Sequence, residues 1–126
     1  MIVLFTILSF FLVGCKSDRE IAIDEGLKIA REEQGHLFDI DYSKEYDAIR
    51  YIPKEEGVVT LVVDTYDGIA PYKYWGSFTP NFIYLSELLS ELVDKDLGII
   101  IVHPDNIDEY LLLIRDGKVL YNFINN

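Results

Sequence analysis

From Ile2 to Val13 every position is apolar except Thr6 and Ser9, and charged residues begin only at Lys16. Past that point the pattern takes on a helical period. Ile23, Leu27 and Ala30 recur at i, i+4 and i+7, with Ala22 and Ile29 widening the stripe. In front of them, Ser17-Asp18-Arg19-Glu20 has the form of a capping box, with Ser17 as N-cap and Glu20 three residues on. The spacing predicts a helix to about Gln34, with Gly35 as the C′ residue.

The period then falls to two. Phe38 and Ile40 alternate with Asp39 and Asp41, as in a short half-buried strand. "AIRYI", 48–52, predicts another strand stopped by Pro53, and "PKEEG" a turn. "VVTLVVD", 58–64, is β-branched and apolar on both faces, so it is expected at the centre of a sheet. Residues 65–78 read as a long aromatic loop. Thr79-Pro80 then offers an N-cap and a proline at the first helical position. Leu85, Leu88, Leu89, Leu92 and Val93 make the apolar face of a helix reaching about Asp96. "GIIIVH" predicts a second buried strand, about 99–103. "YLLLIR", Asp116-Gly117 and "KVLYNFI" predict a closing hairpin with a two-residue turn. The order α-β-β-β-α-β-β-β predicts one small α/β or α+β domain. It has an N-terminal helix, a mixed sheet with a βαβ unit built on 58–64 and 99–103, and a C-terminal β-hairpin.

Composition narrows the classes. Half of the 126 residues are apolar and 26% are charged, a globular balance with room for one core. The net charge is −11, all of it after residue 14. A field of that sign repels nucleic-acid phosphates and anionic headgroups, so no nucleic-acid partner is expected. It keeps the domain soluble and suits a basic protein partner. One cysteine, Cys15, excludes an internal disulfide and any C-x-x-C motif.

The apolar run is too short for an ordinary membrane-spanning helix and has the length of a signal-peptide core. It ends in Leu12-Val13-Gly14-Cys15, which resembles the lipobox of bacterial lipoproteins. Met1 alone precedes the run, without the Lys or Arg usual there. The resemblance implies that residues 1–14 are a signal peptide and that Cys15 becomes the first residue of the mature chain. Its thiol would carry diacylglycerol and its amino group a further acyl chain. Two or three such chains hold a domain stably at a membrane. The expected organisation is 1–14 signal peptide, 15–17 lipidated tether and 18–126 a single acidic domain. The chain would be exported and anchored in the cell envelope. Lys16, rather than Asp, after the cysteine points to the outer membrane, facing the periplasm, in a two-membrane host.

Candidate chemistry is sparse. A βαβ unit would bring Asp64, Tyr66 and Asp67 beside His103, Asp105 and Asn106 at one sheet edge, where α/β sheets tend to bind ligands. His103 with Asp64 or Asp105 is the nearest approach to an acid/base pair. No nucleophile motif accompanies it, so no catalytic residue is assigned. Asp39 with Asp41, and Asp64 with Asp67, do not follow the EF-hand loop, so no metal or other cofactor is expected. The aromatic stretch stands out more. Tyr66, Tyr72, Tyr74, Trp75 and Phe78 are residue types favoured in binding hot spots, and the alternative is that they close over the core. Residues 18–47 add ten carboxylates against Arg19, Lys28, Arg31 and Lys44. The reading that follows is a non-catalytic binding module tethered in the envelope. Its most concrete form is an inhibitor or immunity-type protein against a toxin or hydrolase acting there. The alternatives are a structural subunit of an envelope assembly and a small enzyme centred on His103.

Overall fold

A computed structural model describes residues 17–125; the apolar run, Cys15, Lys16 and Asn126 lie outside the described residues. Helix α1 (Asp18–Gln34) starts where the capping residues place it. The Glu20 N–H donates to Ser17 Oγ at 3.1 Å, and that hydroxyl donates to the Glu20 carboxylate at 3.4 Å. Ile23, Leu27 and Ala30 are buried, as their spacing requires. Gly35 ends the helix at φ −64°, an ordinary right-handed angle, so no left-handed cap is used. Strands β1 (Phe38–Ser43) and β2 (Ala48–Pro53) then form an antiparallel hairpin.

The expected central strand at 58–64 is instead the body of α2 (Glu56–Tyr66). The Glu55 carboxylate caps it, accepting from the Gly57 and Val58 N–H groups at 2.9 and 3.0 Å. Val58, Val62 and Thr65 then fall at i, i+4 and i+7, with Val62 and Thr65 fully buried. The Thr65 hydroxyl satisfies itself on the Leu61 carbonyl at 2.7 Å. Here the cap and the helical register of three inward positions override the β preference of valine. The expected loop at 65–78 is corrected too. Its second half is the start of α3 (Tyr72–Leu92), which carries Pro80 in its interior rather than at its first position. Trp75, Thr79 and Phe82 continue the buried face through that point. Only residues 67–71 connect α2 to α3, with Gly68 at φ +77° making the turn.

The sheet runs in the order β1-β2-β3-β4-β5, with β3 (Gly98–His103), β4 (Asn106–Arg115) and β5 (Lys118–Asn122). Only β2 and β3 are parallel. The βαβ unit therefore exists, but its first strand is β2, and both α2 and α3 lie in the crossover. The closing hairpin turns at Asp116 and Gly117, both at positive φ, as its two-residue loop demands. A 3₁₀ turn, Phe123–Asn125, follows β5.

All three α-helices pack on one face of the sheet, over Ile49, Tyr51, Ile99 and Ile101. The other face carries Ala48, Ile100 and Val102, and no described helix covers them. They are buried beneath Tyr46, Ile52, Tyr110 and Leu113. Tyr46, Tyr110 and Tyr121 meet edge to face there, at 5.2 and 5.1 Å between centroids.

A polar knot ties the helical layer to the sheet at Asp47. Its carboxylate accepts two bonds from Arg19 of α1, at 2.9 and 2.8 Å, and one from the Tyr42 hydroxyl at 2.6 Å. Its carbonyl accepts from the Gly98 N–H of β3 and from Arg115 of β4. Arg19 also holds Asp94, just past α3, at 2.6 and 3.1 Å. Partial burial alone would raise the Asp47 pKa, but the bonds from Arg19 and Tyr42 outweigh it and hold it below the usual carboxylate range. The Arg19 bond also lowers that of Asp94. Both acids are thus depressed in the folded state. Their contribution is complete above the unfolded carboxylate pKa of about 3.9 and is lost as pH falls below it. The ion-paired side chains are about a third exposed, which screens the interaction. Arg19→Met should therefore cost about 1 kcal/mol at neutral pH. In urea melts, the gap between variant and parent should close below about pH 4. An unchanged gap at low pH would show that the knot contributes packing rather than charge.

Candidate protein-binding surface

The structure divides the aromatic stretch between core and surface. Trp75 is fully buried; its indole N–H donates to Asn122 Oδ1 at 2.9 Å, and its ring packs against Phe78 and Phe123. Phe78 is half-buried and continues inward to Phe38 and Phe82. These two rings close the core, so their side chains are not presented to a partner. Tyr66, Tyr72 and Tyr74 remain outside, at 38%, 53% and 48% exposure. Ile69, between them in the α2–α3 connection, is 73% exposed, the highest of the large apolar residues. The surface part of the cluster divides again: Tyr66 and Tyr72 both border Phe123 and form a corner with Ile69, in the connection between their helices, whereas Tyr74 lies about 200° round α3 from Tyr72. Ile69 was not singled out in the sequence because its neighbours read as a loop.

That corner also receives His103. Its ring meets Tyr66 edge-on at 4.8 Å, and the Tyr66 hydroxyl donates to Glu109 at 2.7 Å. The bond to Glu109 keeps the phenol protonated and moves its pKa above the ordinary value. His103 Nδ1 accepts from the backbone N–H of Asp105 at 3.1 Å. No described carboxylate bonds to the imidazole. Asp64 belongs to α2, where its carbonyl accepts from the Ile69 and Ala70 N–H groups. Asp64, Asp67, Asp105 and Asn106 therefore do not assemble with His103 into an oriented acid/base pair. The arrangement is a hairpin turn of His103 through Asn106, stacked on Tyr66. Among the described residues, no group of three or more His, Cys, Asp or Glu is placed to hold a metal ion. No described helix is long and apolar enough to cross a membrane.

Two concave regions stand out among the described residues. A cleft of about 480 Å³ at the start of α1 is walled by Arg19, Glu20, Tyr42 and Lys44. Ser17 is in its wall. The second is a groove of about 210 Å³ between α1 and α3, lined by Gly26, Ile29, Ala30 and Glu33 from one helix and by Leu85, Leu88, Leu89 and Leu92 from the other. Ile29, Leu88 and Leu92 remain 48%, 43% and 41% exposed. The sequence pattern placed Leu88 and Leu92 on the core face. The leucine face of α3 is wider than the sheet beneath it can cover, so its outer edge stays in solvent.

Family models, curated proteins and solved structures give no match to this chain.

The split of aromatic residues is open to a direct check. Trp75 is the one tryptophan, so its emission should be blue-shifted and resist iodide quenching. Trp75→Ala should cost about 3–5 kcal/mol in denaturant melts, and Tyr74→Ala no more than about 0.5 kcal/mol. Similar losses at both positions would contradict the placement of the two rings.

Proposed function

We propose that the chain is a non-catalytic, acidic protein-binding module tethered in the cell envelope through lipid on Cys15. In its most concrete form it is an inhibitor or immunity-type protein that blocks a toxin or hydrolase acting there. The observation that carries this reading is the exposed corner of Tyr66, Ile69 and Tyr72. Large, rigid side chains of this kind cost little entropy to immobilise and dominate interface energetics. They lie on a domain of net charge −11, which would steer a basic partner toward it and repel anionic ones. The backbone bond that occupies His103 Nδ1, without a carboxylate partner for the ring, weighs against the small-enzyme alternative. An envelope subunit would use the same corner for docking and is separated from the inhibitor reading by its phenotype. Loss of a subunit disturbs the envelope without any toxin present.

The test is recovery of an envelope protein on the immobilised chain at low salt. An Ile69→Ser/Tyr72→Ala variant should reduce recovery about tenfold or more. Recovery of no envelope protein would end the reading. Radiolabelled fatty acid should be incorporated by the parent and not by Cys15→Ser.

A further inference from the structure

The groove between α1 and α3 lies away from the tyrosine corner and stands on separate observations. The two helices run in opposite directions. Arg19 at the start of α1 holds Asp94 past the end of α3, while Gly26 sits against Leu89 and Leu92. A Cβ at Gly26 would come within 3.1 Å of Leu89 Cδ2, so the missing side chain sets how closely the helices approach. Gly26 and Ala30 leave the floor open, and Ile29, Leu88 and Leu92 stand along it half in solvent. From Gly26 to Glu33 on α1, and from Leu85 to Leu92 on α3, the lining covers about 11 Å, two helical turns. That length accepts apolar side chains at i, i+3 or i+4, and i+7 of one docked helix.

The rim decides which helix. Glu33 lines the groove itself. Glu25 and Glu32 lie one turn either side of Ile29, Glu91 lies one turn beyond Leu88, and all are exposed. Of the α1 cations, Arg19 is held by Asp47 and Asp94, and Arg31 bonds the Ile40 carbonyl. Exposed Lys28 lies one turn from Glu25 and from Glu32 and offsets part of that rim, so the net negative sign rests on the remaining carboxylates, with Glu33 in the groove wall. An apolar floor between carboxylate rims complements a helix that is apolar on one face and basic along its flanks. A second copy of this chain would bring the same carboxylates against them, and an anionic lipid surface would be repelled.

We infer that this groove receives one amphipathic helix of a partner protein, with Lys or Arg flanking its apolar stripe. The inference goes beyond the corner reading and does not depend on it.

The experiment titrates the full chain with a stapled amphipathic peptide of about 15 residues, bearing three leucines at helical spacing and flanking lysines. A control peptide replaces every lysine by glutamate. The basic peptide should bind and the acidic one should not, and affinity should fall with added salt. Ile29→Ser/Leu88→Ser should weaken the basic peptide about tenfold or more. Glu33→Lys/Glu91→Lys leaves the floor intact, and should weaken the basic peptide while creating affinity for the acidic one. Circular dichroism shows that each variant is folded. Absence of binding, equal binding of both peptides, or affinity indifferent to both variants would overturn the inference. So would a dimer of the full chain that Ile29→Ser/Leu88→Ser dissolves, since a second copy would then cover the groove. Envelope-protein recovery that depends on Ile69 and Tyr72 can persist in any of these cases, so the two readings fail separately.

Discussion

The structure depends on burying β3 on both faces. Ile99, Ile100, Ile101 and Val102 are almost entirely out of contact with solvent, although among the described residues only one face of the sheet has a helical layer. An apolar strand of this kind ordinarily has helices on both sides. Here the second face is covered by the sheet's own long side chains. Tyr46, Ile52, Tyr110 and Leu113 fold over Ala48, Ile100 and Val102. The Asp41–Arg50 ion pair at 2.7 Å and the Tyr46–Tyr110–Tyr121 contacts lie beside them. The second face is thereby largely self-sufficient, and the large exposed apolar groups of the helices lie on the opposite side of the molecule.

That constraint sends all three helices to one side, where they compete for space over five strands. α2 and α3 fit as the crossover between β2 and β3, and α1 fills the remaining flank against β1. The Arg19–Asp47–Asp94 knot fixes the position of α1 relative to the β1–β2 turn and the end of α3. α3 is the longest described helix, at 21 residues. Its N-terminal end projects with Tyr72 and Tyr74, while Trp75 and Phe78 anchor it below. Its C-terminal half leaves Leu88 and Leu92 beside Ile29. Corner and groove are thus two consequences of one packing problem, joined by a single rigid helix.

Much of this was legible in the chain. Ser17 and Glu20 marked the start of α1, Asp116-Gly117 marked the hairpin, and the isoleucine run marked a doubly buried strand. The helix at 56–66 was not. Its valines argue for a strand, and the opposing signal is one glutamate, Glu55, used as a cap in place of the commoner Ser, Thr, Asp or Asn. Pro80 misled in a related way. Thr79-Pro80 has the form of a helix start, yet the buried face of Trp75, Thr79 and Phe82 carries the helix through it. With α3 shortened in that reading, its first two turns became a loop and its aromatic residues a single surface. Only the packed structure separates Trp75 from Tyr74, one position and about 100° apart on a helix. The groove needed both helices in place, since neither Gly26 nor Leu88 has meaning for binding alone.

We propose that this domain works by docking a partner on its helical side, and hydrogen–deuterium exchange of the full chain, free and with an envelope protein recovered on it, tests this. New protection is expected in α1, in α3 and at the α2–α3 corner, with β1, β4 and β5 unchanged. Protection centred instead on the open sheet face around Tyr46, Tyr110 and Tyr121 would contradict it.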